Sequence, residues 1–329
     1  MQQPATPLEA RDRLVLDVVV TDRSGKAISG LQQKDFVVLD NKQPQQILSF
    51  HASMETAAQP EPPVKVIIVV DEVNTTINRV AYERNEIKKV LQQNGGKLPF
   101  PTSIAFFTDT KTQILSDTTQ DGNSLLESFD KQESTLRELR RSTGFYGAVD
   151  RFQLSLGTLN QLAAAEAREP GRKIIVWISP GWPILSGPQI NLTSKEEQGL
   201  YNSIVSVTNS LRQSRITLYS VDPLGIADAG GLRVNYYQEF LKPITAAKNS
   251  QVGNLALQVI AVHSGGLALN SSNDITAQIT RCVADANAFY TLTLEAAPGE
   301  PTNNYHAIDV KVENPGLTAR TRTGYYAIP

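Results

Sequence analysis

From Val64 onward the chain follows a rhythm of short continuous apolar runs alternating with longer stretches whose apolar positions recur every three or four residues. The run VKVIIVV leading into Asp71 is strand-length and apolar throughout, the pattern of a strand buried on both faces. Ile77, Val80, Arg84, Ile87 and Leu91 then mark a helix that Gly95-Gly96 closes. SIAFFT reads as the second strand, followed by a helix around Leu125 to Leu139. Val149, Phe152, Leu156, Leu159 and Ala163 share one face of a third helix, which Pro170-Gly171 stops, and RKIIVWIS is the next buried strand. Ser194 with Glu197 makes a capping-box pattern ahead of Leu200, Ile204, Val207 and Leu211, and ITLYSV follows as a strand. Leu255, Val259 and Val262 predict a helix ended by Gly265-Gly266, LALN a short strand, and Ile275, Ile279, Cys282 and Ala286 the final helix. The alternation predicts an α/β fold with a mostly parallel sheet covered by helices on both faces.

Both ends of the chain break this rhythm. Leu14 to Val20 is β-branched and ends in the turn cluster Asp22-Arg23-Ser24-Gly25, and Phe36 to Leu39 and Gln45 to Phe50 read as further short strands. After Phe289 the segments FYTLTLEA, YHAIDVKVEN and LTARTRTGYYAI are again strand-like, with Pro315-Gly316 between the last two. Each terminal segment alone would leave an apolar face uncovered, so the two are expected to pack together as one β-sandwich-like module. The expected organisation is therefore an N-terminal β segment over 1–56, a Pro-rich linker over 57–63, an α/β domain over 64–288, and a C-terminal β segment over 289–329.

Composition narrows the class. A chain of 329 residues with 40% hydrophobic content fits a globular protein of about two units. The formal charge of -2, with acids and bases interspersed, offers no basic face for nucleic acid. No apolar run approaches the roughly 20 residues of a membrane span. Cys282 is the only cysteine, which excludes an intrachain disulfide and a Cys-based zinc cluster, and its helical spacing points to a buried core thiol. His51, His263 and His306 are scattered without H-E-x-x-H spacing, and Gly95-Gly96-Lys97 follows a helix where a phosphate loop would precede one. Glu196-Glu197 fall in a helix's first turn, where they favour the dipole. No catalytic constellation emerges, so the chain reads as a non-enzyme.

Five stretches in order carry a family resemblance. DVVVTDRSGKAISGLQQKDFVVLDNKQPQQILSF resembles the entry module of the von Willebrand factor type A-related proteins abundant in acidobacteria, and the strand into Asp71-Glu72-Val73-Asn74-Thr75 resembles their first strand and metal loop. STGFYGAV, LYSVDPLG and DVKVENPGLTARTRTGYYA are similar to their second-loop turn, a later strand and their C-terminal signature. The resemblance implies a Rossmann-like doubly wound domain with ligands at the C-terminal ends of the strands. It also implies a metal-ion-dependent adhesion site, in which D-x-S-x-S, a second-loop Thr and a further Asp hold Mg²⁺ through hard oxygen ligands. Asp71, Thr75 and Thr143 occupy matching positions here. Val73 replaces the middle hydroxyl, Asn74 offers an amide oxygen, and Ile178-Ser179-Pro180-Gly181 stands where the further Asp belongs, so the motif is degenerate and Mg²⁺ binding weakened.

Each of these residues also has a local structural role open to it: Asp71 and Thr143 as helix caps, and Asp222 in an Asp-Pro turn. The long connections carrying Trp182, Tyr236 and Tyr237 offer aromatic anchors for a partner, or cover for the loops' own core. The expected function is protein binding, adhesion or scaffolding through the strand-end rim, with Asn74, Ser179, Trp182, Asp222, Tyr236 and Tyr237 as contact residues. The alternative is an assembly subunit whose β module oligomerises and whose α/β domain is a spacer. The polar start MQQPATPLEARDR resembles what remains once a signal peptide is replaced by a starting Met, and the expected location is secreted or periplasmic.

Overall fold

A computed structural model describes residues 13–53, 62–109, 112–132, 144–183, 192–223, 236–296 and 303–328. Strands β1 (Arg13–Thr21), β2 (Phe36–Asp40), β3 (Gln43–Gln45) and β4 (Ser49–Ala52) come first. The alternating region supplies β5 (Lys65–Asp71), α1 (Ile77–Gln92), β6 (Lys97–Phe107), β7 (Thr112–Asp121), α2 (Gly122–Lys131) and α3 (Gly144–Glu166). It continues with β8 (Lys173–Ile178), α4 (Ser194–Gln213), β9 (Ile216–Val221), α5 (Leu257–His263), β10 (Ala268–Leu269) and α6 (Ile275–Ala284). Strands β11 (Tyr290–Glu295), β12 (Tyr305–Val312), β13 (Thr318–Arg320) and β14 (Gly324–Tyr326) follow.

The central sheet runs in the order β10-β9-β8-β5-β6-β7, with every neighbour parallel except β7. Apolar side chains leave each strand in both directions because both faces are covered. Toward one face, Ile67, Val69, Ile175, Trp177 and Leu218 pack with α3, α4 and α5. Toward the other, Ile68, Val70, Phe106, Val176 and Tyr219 pack with α1, α2 and α6, where Cys282 is buried and burial pushes its thiol up. The antiparallel edge strand β7 is not marked in the sequence. Its TQILSDTTQD stretch lacks sustained alternation, as suits a polar edge, and it pairs with β6 across register shifts near Thr102, beside Pro99 and Pro101.

Strands from the two chain ends form two four-stranded antiparallel sheets, β13-β1-β11-β4 and β14-β12-β2-β3. β1 pairs with β11 from Arg13↔Glu295 to Val18↔Tyr290, and β2 with β12 from Phe36↔Val312 to Asp40↔Ile308. Leu14, Leu16, Val18 and Val20 alternate into one core with Phe36, Val38, Leu292, Ile308 and Val310. Two of the intervening side chains of β1 face the α/β unit. Val19 joins that unit's core, and Asp17 binds Arg215 at the start of β9 at 2.6 Å. Arg320 of β13 meets Asp285 after α6, which also accepts from the Tyr219 hydroxyl at 2.6 Å. Gly265 sits at φ +93°, and a Cβ there would lie 2.7 Å from the backbone of Thr321. This glycine lets the β13–β14 link lie against the end of α5.

Several boundaries differ from the sequence expectation. The helix expected over Leu125 to Leu139 is α2, Gly122–Lys131, capped by Asp121 accepting from the Asn123 and Ser124 amides; residues 133–143 lie outside the described set. The α4 capping box is Thr193 with Glu196, one residue earlier than Ser194 with Glu197, because T-S-K-E satisfies the same pattern and adds a residue to the helix. The stretch LTARTRTGYYAI is two strands in different sheets, and Gln45 to Phe50 is divided between β3 and β4.

Candidate functional site

The C-terminal rim of the central sheet lies opposite the Asp17–Arg215 junction, and Asp71 ends the strand at its middle. Its carboxylate is fully buried. Oδ1 accepts from the Val73 and Asn74 amides, both at 2.9 Å, and Oδ2 from Asn74 Nδ2 at 2.8 Å and Trp177 Nε1 at 3.0 Å. Four donors fill the acceptor capacity of a carboxylate. The cap expected for the helix near Thr76 is thus made one turn earlier: Thr76 is the N-cap of α1 without a side-chain bond, and Asp71 ties the turn before it. Asn74 reaches further, donating to Ser155 Oγ on α3 at 2.9 Å.

Of the metal ligands implied by the family resemblance, Asp71 and Thr75 are described, and both make hydrogen bonds within the protein. Val73 is buried in the core, Thr75 donates its hydroxyl to Glu83 Oε1 at 3.2 Å, and Ser179 Oγ accepts from the Gly181 amide at 3.1 Å. Thr143 lies outside the described residues. Among the described residues no group of three or more His, Cys, Asp or Glu is placed to hold a metal ion.

Glu83, on α1 beneath the rim, is a residue that periodicity alone missed. It is buried, and its Oε2 has no hydrogen-bond partner among the described residues. Burial raises its pKa well above the usual carboxylate range, with the negative charges of Asp71, Asp222 and Glu72 adding to it against the Thr75 hydrogen bond. Glu72 is also raised, by burial and the Asp71 charge, with Arg84 opposing. A group whose folded pKa is raised contributes stability that is present below its unfolded pKa and is lost as pH rises through the folded one. Glu83→Gln keeps the shape and the Thr75 bond without the charge. The variant is expected to be more stable than the wild type at neutral pH by on the order of 1 kcal/mol, with the gap closing in acid. Urea unfolding across pH checks this; a gap that widens toward acid refutes it.

The expected contact residues divide between core and surface. Trp182, read as a partner anchor, is 3% exposed and packs edge-on against Trp177 at 5.3 Å between ring centroids. Its size is used to close the core under the rim. Tyr237 is partly buried against the small cluster of Phe240, Ala256 and Val259, whereas Tyr236 is 38% exposed and touches Phe240 edge-on. Asn74 and Asp222 are half-buried, and the Asp222 amide donates to Leu269 O at 2.8 Å.

The most exposed apolar feature of the rim is the start of α3. Thr158 meets Thr112, the partner of Phe107 at the end of β6, and Glu166 meets Lys65 at the start of β5. The helix therefore spans the sheet's height from about Ser155 down. Its first two turns precede Phe152, which is still buried in the core on that face of the sheet. Phe145 continues the Val149, Phe152 and Leu156 stripe by one more turn, where it is 55% exposed, and Tyr146, edge-on to it, is 80% exposed. An apolar stripe that continues past its buried turns is the signal that sequence reasoning could have used.

Among the described residues no helix is long and apolar enough to cross a membrane. No protein-family model matches the chain, and no curated protein matches it. Solved structures similar to it include the human COPII-coat protein Sec24c, at 9% identity and a TM-score of 0.31 over 82% of this chain and 44% of that one. The chain thus spans less than half of Sec24c. They also include the SpRpn10 VWA domain, at 11% identity and a TM-score of 0.24 over 54% of this chain and 95% of that domain.

Proposed function

We propose that this chain is an exported, von Willebrand factor type A-related protein that binds another protein through the strand-end rim of its α/β unit, without catalysis, in adhesion or as a scaffold. The observation that carries the reading is the Phe145–Tyr146 pair, standing in solvent at the start of α3. Contiguous exposed aromatics are costly to leave in water, and aromatic side chains dominate the binding energy of protein interfaces. Tyr236, 38% exposed, is a further aromatic of this kind. Trp182 does not belong to it, and the recognition is read as independent of a cation because the Asp71 carboxylate is already filled by protein donors.

The test compares immobilised wild type with the Phe145→Ala/Tyr146→Ala double variant in capture from the periplasmic or secreted fraction, with and without chelator. The variant should keep its unfolding midpoint to within about 0.5 kcal/mol, since surface positions contribute little to stability. It should lose the partners that the wild type retains in chelator. Equal capture by both proteins removes these aromatics from the interface, and capture abolished by chelator alone removes the cation-independent reading.

A further inference from the structure

A second candidate site lies far from the rim, where α4 and α5 meet β12 and the link between β13 and β14. Arg322, in that link, is 7% exposed, and among the described residues its guanidinium has neither a hydrogen-bond acceptor nor an ion-pair partner. Arg212 of α4 is close enough to repel it, stacks on the Tyr325 ring at 5.6 Å, and has a buried Nε without a partner. Among the described residues neither arginine forms an ion pair with the nearby acids. Asp17 is engaged by Arg215, and Asp285 by Arg320 and Tyr219. Burial and the charge of Arg212, against the opposing charge of Asp17, lower the Arg322 pKa to about 10, which still leaves it cationic near neutrality. A buried unpaired cation costs several kcal/mol, so this arrangement calls for an anion.

Arg322 lines a cavity of about 30 Å³, whose walls include Ile204, Val207, Leu211 and Tyr326 and whose polar edge includes Tyr305 and Thr323. Pro243, also lining it, is exposed and marks a way in from solvent. His263 beside it is spent on Thr323, at 2.6 Å, and burial pushes it down to about 4, so it adds no charge near neutrality. One water needs about 10–15 Å³ on this scale, so the enclosed room takes the carboxylate group itself and leaves the tail along the opening beside Pro243. A guanidinium matches a carboxylate by a two-pronged hydrogen bond, and the isoleucine, valine and leucine wall matches a short alkyl tail. We propose that this cavity binds a small aliphatic carboxylate, of acetate to propionate size, with Arg322 as its counter-ion.

The test uses propionate, its uncharged isostere propionamide, and chloride and phosphate at matched ionic strength, read by thermal unfolding of the whole chain. Propionate should raise the wild-type midpoint saturably, as expected for a ligand of the folded state, while propionamide leaves it unchanged. In Arg322→Met, which keeps the stem and removes the unpaired charge, propionate should bind about tenfold more weakly or worse. If Arg322→Met does not fold, nuclear Overhauser contacts from the propionate methyl to Ile204 and Val207 methyls in the wild type decide the question. The proposal is overturned by no response to propionate, an equal response to propionamide, an unchanged response in a folded Arg322→Met, or absent contacts. An equal response to chloride or phosphate overturns the carboxylate assignment.

Discussion

Replacing Asp17 by alanine is expected to lower the unfolding free energy by about 3–5 kcal/mol, the range for stripping one partner from a buried ion pair. The carboxylate accepts from Arg215 Nη2 at 2.6 Å and Nε at 3.4 Å, and from the Thr291 hydroxyl at 3.2 Å. Removing it leaves the Arg215 guanidinium part-buried at the junction between the β module and the α/β unit. Arg215→Met in the Asp17→Ala background should restore part of the loss, because it withdraws the charge whose ion pair is gone, and a double-mutant cycle in urea measures the coupling. A cycle with no coupling would show that the two residues act separately. The pH dependence has a definite sign. Burial raises the Asp17 carboxyl, but the charge and hydrogen bond of Arg215, with Arg172 and Arg322 behind it, hold it below its ordinary 3.8. A depressed carboxylate contributes stability above its unfolded pKa and loses it as pH falls through the folded one. Wild type should therefore lose stability below about pH 4 more steeply than Asp17→Asn does.

The second large effect belongs to Asp71. Asp71→Ala should cost about 3–5 kcal/mol, since it strands the Val73 and Asn74 amides, the Asn74 side chain and the Trp177 indole inside the protein. The indole gives the loss its own signature, a change in tryptophan emission from the folded variant in dilute buffer. The cost should be the same in chelator and in millimolar Mg²⁺, because the protein's own donors occupy the carboxylate. A variant as stable as wild type that has lost a Mg²⁺ response would instead make Asp71 a metal ligand.

These two aspartates show what can be read from a sequence. The strand VKVIIVV and the Val80–Leu91 stripe are visible because burial on both faces and burial on one face leave different periods. Asp71 is visible as a position at a strand end. Its chemistry is not, since Trp177 comes from β8, 106 residues away, and only the adjacency of β5 and β8 brings the indole to it. Trp182 and Tyr146 are both aromatic residues near the rim, and composition alone treats them alike. What separates them is whether the side chain is packed into the core, which the fold decides. β7 escaped notice because an edge strand has no need of a full apolar face. Arg322 sits in a polar stretch, R-T-R-T, and nothing local marks it as enclosed.

The pairing of β1 with β11 joins residues more than 270 positions apart, Arg13 with Glu295 at one end and Val18 with Tyr290 at the other. Among the described strands, β1 therefore has no ladder partner until the chain has been made through β11. The α/β unit, whose partners lie closer together along the chain, can condense meanwhile, and the late-arriving strands then draw the early one into place. Non-local pairings of this kind slow the final step of folding and leave apolar strands waiting in the open. For this chain, protection of β1 during synthesis is thus a requirement of the topology itself.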